Sequence, residues 1–278
     1  MLADGSGASE STRDGSCPNL AMKTFLFELC VGSFEAAQVA ESGGADQVEL
    51  CSELSIGGVT PSFDLMTSVV KAVSIPVHVL IRPRGGDFVF SAGEFARMQA
   101  QIEQAQEAGA KGVAVGVLHS DGRVDVERSR ALVAQARPLA VTFHRAFDEA
   151  ADLTGALEAV IETGADCLLT SGGAPDVLSG ADSIARLHRQ AGIRIEIMAG
   201  GGLQLSNLAE VLRRSGISRL HGSLTRKGPN CVTAFDPALL EADLREALRL
   251  MRTELSQADP PACGFDAAAG GRVQTRMI

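Results

Sequence analysis

The sequence contains no tryptophan and no tyrosine, and only 4% of its 278 residues are aromatic. Stacking on nucleic-acid bases would therefore depend on phenylalanine and arginine alone. The formal net charge is −9 at pH 7. A surface of this sign repels nucleic acids and anionic membranes, so we expect neither of them as the main partner.

Long apolar runs are also missing. No stretch approaches the length of a membrane span, and residues 1–22 contain no apolar segment of signal-peptide length. The six cysteines are scattered and form no CxxC pair, which argues against a disulfide framework and a CxxC-type zinc site. Reduced thiols and a cytoplasmic location are expected. No GxSxG motif supports acyl transfer by a Ser-His-Asp triad.

The composition divides the chain into three parts. Residues 1–22 are rich in Gly, Ser, Asp and Glu, which predicts a disordered extension. Residues 259–278 begin with a proline pair and continue with Gly and Ala, which predicts a flexible tail. The intervening residues 23–258 are predicted to form a single domain, since 45% of the chain is hydrophobic and can bury a sizeable core.

One order of residues recurs along this domain. A helical stretch stops at Gly, one or two residues follow, and an apolar run of strand length begins; ESGGADQVEL and ETGADCLLT are two of five examples. At two more helix-to-strand junctions, Pro takes the place of Gly, since it cannot continue a helix but can begin a strand. The seven junctions predict eight strands, at 25–30, 46–51, 76–82, 112–117, 139–144, 166–170, 194–199 and 219–222. Strict alternation favours an eight-stranded parallel (β/α)8 TIM barrel over an open doubly wound sheet.

Side chains alternate along a strand, so each apolar outer face defines an inner face. The ionisable and thiol residues predicted to point into the barrel are Glu28, Cys30, Glu49, Cys51, His78, Arg82, His144, Glu196 and His221. Most lie near the C-terminal strand ends, where barrels of this type place active sites. His78 lies near the start of its strand, which suggests a structural role. The candidates for catalysis are Glu28, Glu49, Arg82 and His144, although a polar network that only fills the barrel is an alternative.

Glycine-rich loops follow the last three predicted strands, in the segments TSGGAP, AGGG and HGSLTRKG. Small residues leave backbone N–H groups accessible, and the loops after strands seven and eight commonly bind phosphate in such barrels. Ordinary turn chemistry is the alternative. Arg82, Arg84 and Arg145 are predicted around the same mouth and suit bidentate binding of carboxylate or phosphate. Any one of them could instead pair with a neighbouring Glu or Asp. The predicted anion-binding residues are Gly200, Gly201, Gly202, Gly222 and Ser223.

The tripeptide Glu-Leu-Cys ends both of the first two strands, which places Cys30 and Cys51 at matching positions. Neighbouring strands lie about 4.7–4.9 Å apart, so the two thiols could bind one metal ion if the barrel stagger brings them level. Soft thiolates select Cu(I). Free cysteine is also often a small buried hydrophobic residue. The residues alone leave both interpretations open.

Several longer motifs resemble the CutC family of copper homeostasis proteins: FELCVGSFEAA, GGADQVELCSELSIGGVTPS, VHVLIRPRGGDF, PLAVTFHRAFDE, LLTSGGA and MAGGG. The resemblance spans about 25–225. It implies an eight-stranded α/β barrel, a cytoplasmic location, a homo-oligomer (dimer or tetramer) and a Cu(I) site formed by Cys30 and Cys51. Some relatives carry a further Cys where this chain has Gly222, so a third thiol ligand is not available there. No organic cofactor is evident.

Two main functions of different classes follow. As a copper-binding protein, the chain would clamp Cu(I) between Cys30 and Cys51. As an enzyme, it would use Glu28 or Glu49 as general acid or base on a small anionic, for example phosphorylated, substrate. His144 would assist and Arg82 would hold the anionic group. A barrel that has lost activity and serves as an assembly scaffold is a third possibility.

Overall fold

The computed structural model describes residues 25–224 and 235–257. The predicted disordered extension at 1–22 and the predicted flexible tail at 259–278 lie outside the described residues. Among the helices described, none is long and apolar enough to cross a membrane.

Eight parallel strands form a closed barrel, in which each strand pairs with its sequence neighbours and the last pairs with the first. This topology confirms the predicted (β/α)8 barrel and excludes the open doubly wound sheet. Each strand overlaps the range predicted for it. The strands are β1 Leu26–Val31, β2 Gln47–Leu50, β3 Val77–Leu80, β4 Gly112–Val115, β5 Ala140–Phe143, β6 Cys167–Thr170, β7 Glu196–Gly200 and β8 Arg219–Gly222.

A helix follows every strand and covers the outside of the barrel. The helices are α1 Phe34–Gly43, α2 Phe63–Ala72, α3 Ala92–Ala108, α4 Val126–Ala136, α5 Leu153–Thr163, α6 Ala181–Ala191, α7 Leu205–Ser215 and α8 Pro237–Gln257. Two short 3-10 helices, Leu54–Ile56 and Arg145–Glu149, lie in the loops after β2 and β5.

The glycine caps predicted from the sequence mostly adopt the left-handed conformation. Gly44, Gly109, Gly164 and Gly216 follow α1, α3, α5 and α7 with φ between 68° and 91°. Their N–H groups bond to carbonyl groups of the last helical turn, which satisfies acceptors that the helix leaves free. Gly192 after α6 differs, with φ 57° and ψ −123°.

The main hydrophobic core lies between the barrel and the helices. Phe27 and Leu29 on the outer face of β1 are fully buried against it. In α3, Met98, Ile102 and Ala105 are buried at helical spacing. The outer faces of the strands therefore meet the helices, and the inner faces carry the polar side chains.

Candidate functional site

A cavity of about 480 Å³ opens at the C-terminal ends of the strands. Of the predicted site residues, it is lined by Cys30, Glu49, Arg82, His144, Gly201, Gly202, Gly222 and Ser223. Arg145 and His221 also line it. The remaining predicted site residues, Glu28, Cys51 and Gly200, are absent from this lining. The cavity therefore has a thiol and carboxyl wall from β1 and β2, and a cationic wall from β3 and β5.

Glu28 lies beneath the cavity rather than in it, and only 2% of its surface is exposed. Gln47 Nε2 donates a hydrogen bond to its carboxylate at 2.6 Å, and His221 Nδ1 lies 2.8 Å from it. His78 Nδ1 is 3.5 Å away. Burial alone raises the pKa of Glu28, but the hydrogen bond with His221 and the charges of both histidines outweigh it and lower the pKa. Glu28 is therefore an ionised carboxylate that holds His221.

Glu49 has the opposite titration behaviour. Burial raises its pKa, and the charge of Glu28 adds to this, while the charge of His221 acts against it. Burial by itself lowers the pKa of His221, but the hydrogen bond to Glu28 and both carboxylate charges raise it. His221 Nε2 lies 3.9 Å from Glu49 Oε2. His221 thus stands between two buried carboxyl groups and supplies the positive charge that faces both of them.

The two thiols approach closely despite a stagger between their strands. In the ladder, Cys30 is opposite Glu49, and Cys51 lies two residues further on, just after β2. The Sγ atoms are nevertheless 3.6 Å apart, and Cys30 Sγ donates to Glu49 Oε2 at 3.4 Å. Cys51 is fully buried and packs with Leu80 and Ala114. The contact with Cys51, burial and the charge of Glu49 raise the pKa of Cys30 well above its usual value.

Three potential metal ligands meet at this wall. Cys30, Glu49 and His221 each offer one donor atom, and these atoms lie within 4.8 Å of one another. With Cys51 beside Cys30, the donor set comprises two sulfurs, a carboxylate oxygen and an imidazole nitrogen. Sequence parity placed Glu49 and His221 inside the barrel but did not show that they adjoin the thiols.

On the cationic wall, His144 is 4% exposed. Its Nδ1 accepts a hydrogen bond of 3.2 Å from the backbone N–H of Ala146, so the ring proton resides on Nε2. Burial and the charges of Arg82 and Arg145 lower the pKa of His144 to about 3, which leaves the ring neutral. Its Nε2 atom has no hydrogen-bond partner among the described residues.

Asp148 was not singled out from the sequence, yet it organises the loop after β6. Its carboxylate accepts hydrogen bonds from the backbone N–H groups of Ser171 and Gly173. It also accepts one from the Thr170 hydroxyl and one from the Ser171 hydroxyl. It also pairs with Arg145 at 2.9 Å. In the TSGGAP loop, the N–H groups of Ser171 and Gly173 therefore donate to the internal carboxylate of Asp148. The expectation that they are open to an external anion is wrong.

The glycine loop after β7 is arranged differently. Gly201 and Gly202 follow the strand with φ of 102° and 71°. The N–H of Gly201 faces the His221 carbonyl at the end of the β7–β8 ladder, whereas no hydrogen bond from the Gly202 N–H is found among the described residues. A β-carbon on Gly201 would lie 2.8 Å from Arg145 Cζ, so this guanidinium packs against bare backbone. Gly200 and Gly222, by contrast, belong to β7 and β8.

Two other predicted residues do not line the cavity. Glu196 was predicted inside the barrel, but it begins β7 at the opposite end, is exposed and pairs with Arg219 at 3.1 Å. Arg84 was predicted around the mouth, and it follows the alternative of pairing with neighbouring acids, since its guanidinium is held by Glu94 and Asp87. Both side chains occupy positions where water and an opposite charge are available, which a buried inner face does not offer.

Small residues on β4 make space for the imidazoles. A β-carbon on Gly112 would lie 2.6 Å from the His78 ring, and one on Gly116 would lie 2.5 Å from the His144 ring. The stretch GVAVG has Gly or Ala at every second position on the inner face. This alternation is the sequence signal that large side chains from neighbouring strands fill the barrel at this point.

Comparison with known proteins identifies the family. The sequence profile of the CutC family matches residues 25–226. The human copper homeostasis protein cutC homolog is 46% identical over 220 residues, which cover 78% of this chain and 81% of the human protein. The mouse homolog of the same name is 47% identical, over 72% of this chain and 73% of its own length. The CutC structure from Streptococcus agalactiae superposes with a TM-score of 0.69 at 29% identity, covering 73% of this chain and all of that one. The chain therefore belongs to the CutC family.

Proposed function

We propose that this protein binds Cu(I) as a cargo ion between the thiols of Cys30 and Cys51. The observation that carries the proposal is the 3.6 Å separation of the two Sγ atoms at the barrel mouth. The human and mouse relatives are named copper homeostasis proteins, which supports the choice of metal. Thiolates are soft ligands, and Cu(I) is the common biological ion that prefers them most strongly.

The sulfur separation suits an ion that takes further donors. With a metal–thiolate distance of about 2.3 Å, as for zinc, two sulfurs lie ~3.8 Å apart at a tetrahedral angle and ~4.6 Å apart when linear. The observed 3.6 Å is close to the first value. Glu49 and His221 have donor atoms within 4.8 Å of Cys30 Sγ and could complete the coordination. A linear two-sulfur site would require the thiols to separate by about 1 Å.

Cu(I) has to displace protons at this site. The pKa of Cys30 is raised by its contact with Cys51, by burial and by the charge of Glu49, so the thiol is protonated at neutral pH. Metals bind the thiolate and release the proton. His221 and Glu49 lie beside Cys30 and offer a route for that proton towards the cavity.

A competition titration tests the proposal. Metal-free protein is titrated against a coloured Cu(I) chelator under reducing, anaerobic conditions. We expect about one Cu(I) per chain, and we expect Cys30→Ser and Cys51→Ser each to abolish binding, because one thiolate is a poor clamp. Cys167→Ser is the matched control, since Cys167 is a free barrel thiol at the start of β6.

Two results would contradict the proposal. Wild-type affinity in both single Cys→Ser variants, with circular dichroism showing that they are folded, would make the thiols ordinary core residues. Displacement of Cu(I) by equimolar Zn²⁺ would identify a zinc site instead, because zinc accepts the same sulfur, imidazole and carboxylate donors.

The cellular setting is part of the same proposal. Cys30, Cys51 and Cys167 are free thiols, as expected in the reducing cytoplasm. Assembly into a dimer or tetramer remains an expectation from the family resemblance.

A further inference from the structure

The cationic wall of the cavity takes no part in the proposed copper site. We propose that Arg82, His144 and Arg145, with the backbone N–H group of Gly202, bind a small organic anion that carries a carboxylate or phosphate group. This inference does not depend on the Cu(I) proposal, because none of these groups is a candidate metal ligand.

Arg82 is a buried cation without an acidic partner. Its residue is 6% exposed, and no carboxylate of the described residues lies within 4.0 Å of its guanidinium. The Nη atoms donate instead to the carbonyl oxygens of Ile56, Gly58 and Gly86, at 3.3, 3.0 and 2.6 Å. A buried charge of this kind is costly unless an opposite charge compensates it. A bound anion would supply the missing charge.

Two unpartnered donors point to the same conclusion. In the described part of the chain, five buried side-chain polar atoms lack a hydrogen-bond partner, and these include Arg82 Nε and His144 Nε2. They are the two that belong to residues lining the cavity. Arg82 Nε carries a hydrogen because the guanidinium is always protonated. His144 Nε2 carries one because the other ring nitrogen, Nδ1, accepts a hydrogen bond from the Ala146 N–H. Buried donors that lack a protein partner call for a bound molecule, and a neutral imidazole can donate to a ligand oxygen.

Arg145 brings the more accessible charge. Its Nε pairs with Asp148 at 2.9 Å and its Nη2 donates to Ser171 Oγ at 3.1 Å, which fixes the guanidinium over Gly201. Its side chain is 41% exposed and lines the cavity. The nearby N–H group of Gly202 has no partner among the described residues. A preorganised guanidinium beside a free backbone N–H group forms a binding site for an oxyanion.

The positive charge of the cavity lining is concentrated on the cationic wall, where Arg82 and Arg145 face the cavity. The carboxyl groups of the lining are Glu149, which is exposed, and Glu49, which lies on the thiol and carboxyl wall and has a raised pKa. Phe88 packs against both buried donor residues: its ring centroid lies 4.6 Å from Arg82 Cζ and 5.1 Å from the His144 ring centroid. The two unpartnered atoms are buried, so a ligand must enter beside the Phe88 ring to reach them, while Arg145 is available for first contact.

The test is a titration of metal-free protein with inorganic phosphate and, separately, with acetate, in buffers kept at constant ionic strength with chloride. Calorimetry measures affinity, and long-range ¹H–¹⁵N spectra report on His144 Nε2. We expect saturable binding of at least one probe and a shift of the Nε2 signal. Arg145→Gln and His144→Phe should each weaken binding by about tenfold or more, as expected for a hydrogen bond to a charged group. Which probe binds more tightly distinguishes a phosphate ligand from a carboxylate ligand.

Arg123→Gln is the matched control, because Arg123 is an exposed arginine that pairs with Asp121 outside the cavity. It should bind both probes like the wild type. Thermal melts establish that each variant is folded. Non-saturable heats, an unchanged Nε2 signal, or equal weakening in the Arg123→Gln control would overturn the proposal and leave ordered water as the partner of the two buried donors.

Discussion

A single methyl group at position 116 tests the packing that holds His144. In Gly116→Ala the new β-carbon would lie 2.5 Å from Cε1 and Nδ1 of His144 and 3.0 Å from the β-carbon of Ala146. Contacts this short are not tolerated in a close-packed interior. The imidazole must move, and the 3.2 Å hydrogen bond from the Ala146 N–H to Nδ1 is then lost.

The cost has two parts. Overpacking of a core site costs about 1–3 kcal/mol, and a lost hydrogen bond at a buried group costs ~1 kcal/mol more. The free energy of unfolding should therefore fall by roughly 2–4 kcal/mol. For a domain of about 200 residues, this corresponds to a Tm decrease of about 4–16 °C.

Gly93→Ala provides the matched control. Gly93 lies in the first turn of α3, and a β-carbon there would meet no atom within 4 Å. The same substitution should raise stability by about 0.5 kcal/mol, because alanine restricts the unfolded chain more than glycine does. Opposite signs are thus expected for one chemical change at two positions.

Urea and thermal unfolding followed by circular dichroism measure both effects, since the chain has no tryptophan or tyrosine to serve as a fluorescent probe. Equal stability of Gly116→Ala and Gly93→Ala would refute the reasoning. It would mean that His144 is not confined against β4, and the assignment of its Nε2 as a fixed donor would fail with it.

Two further predictions concern titration. The affinity for Cu(I) should rise by about tenfold per pH unit for each proton that the metal displaces. The reason is that the raised pKa of Cys30 keeps its thiol protonated. The chelator competition, repeated at three pH values, measures this dependence. Glu28→Gln should cost about 3–5 kcal/mol at pH 6, because it leaves the buried His221 without its carboxylate. The pKa of His221 is raised on folding, so its stabilising contribution is present at low pH and lost as pH rises through the folded pKa. The destabilisation should shrink at pH 9 in urea titrations, and an unchanged value would contradict this pairing.

Alternation along the strands predicted most of the side chains that face into the barrel, and Glu196, at the exposed start of β7, is the exception among the predicted inner residues. In β1, Phe27 and Leu29 are apolar and Glu28 and Cys30 are not, so the sequence itself separates the two faces. The predicted strand count also followed from local chemistry, because glycine and proline mark each helix-to-strand junction. These features depend on residues close together in the chain.

The height of each side chain in the barrel could not be predicted in this way. Glu28 is level with Gln47 and His221, whereas Cys30 is level with Glu49. That register depends on the stagger of the closed barrel, which arises from all eight strands together. For this reason, Glu28 was predicted at the mouth but lies below it. The role of Asp148 was missed because its partners come from the loop after the next strand.

The layering of the two carboxyl groups assigns them different chemistry. Glu28 is shielded from the cavity and interacts with Gln47 and His221, and its lowered pKa makes it a weak base. Glu49 lines the cavity, and burial together with the charge of Glu28 raises its pKa. Glu49 is therefore the one of the two carboxyl groups that a ligand in the cavity can contact, while Glu28 fixes the orientation and charge of the His221 ring that lies between them.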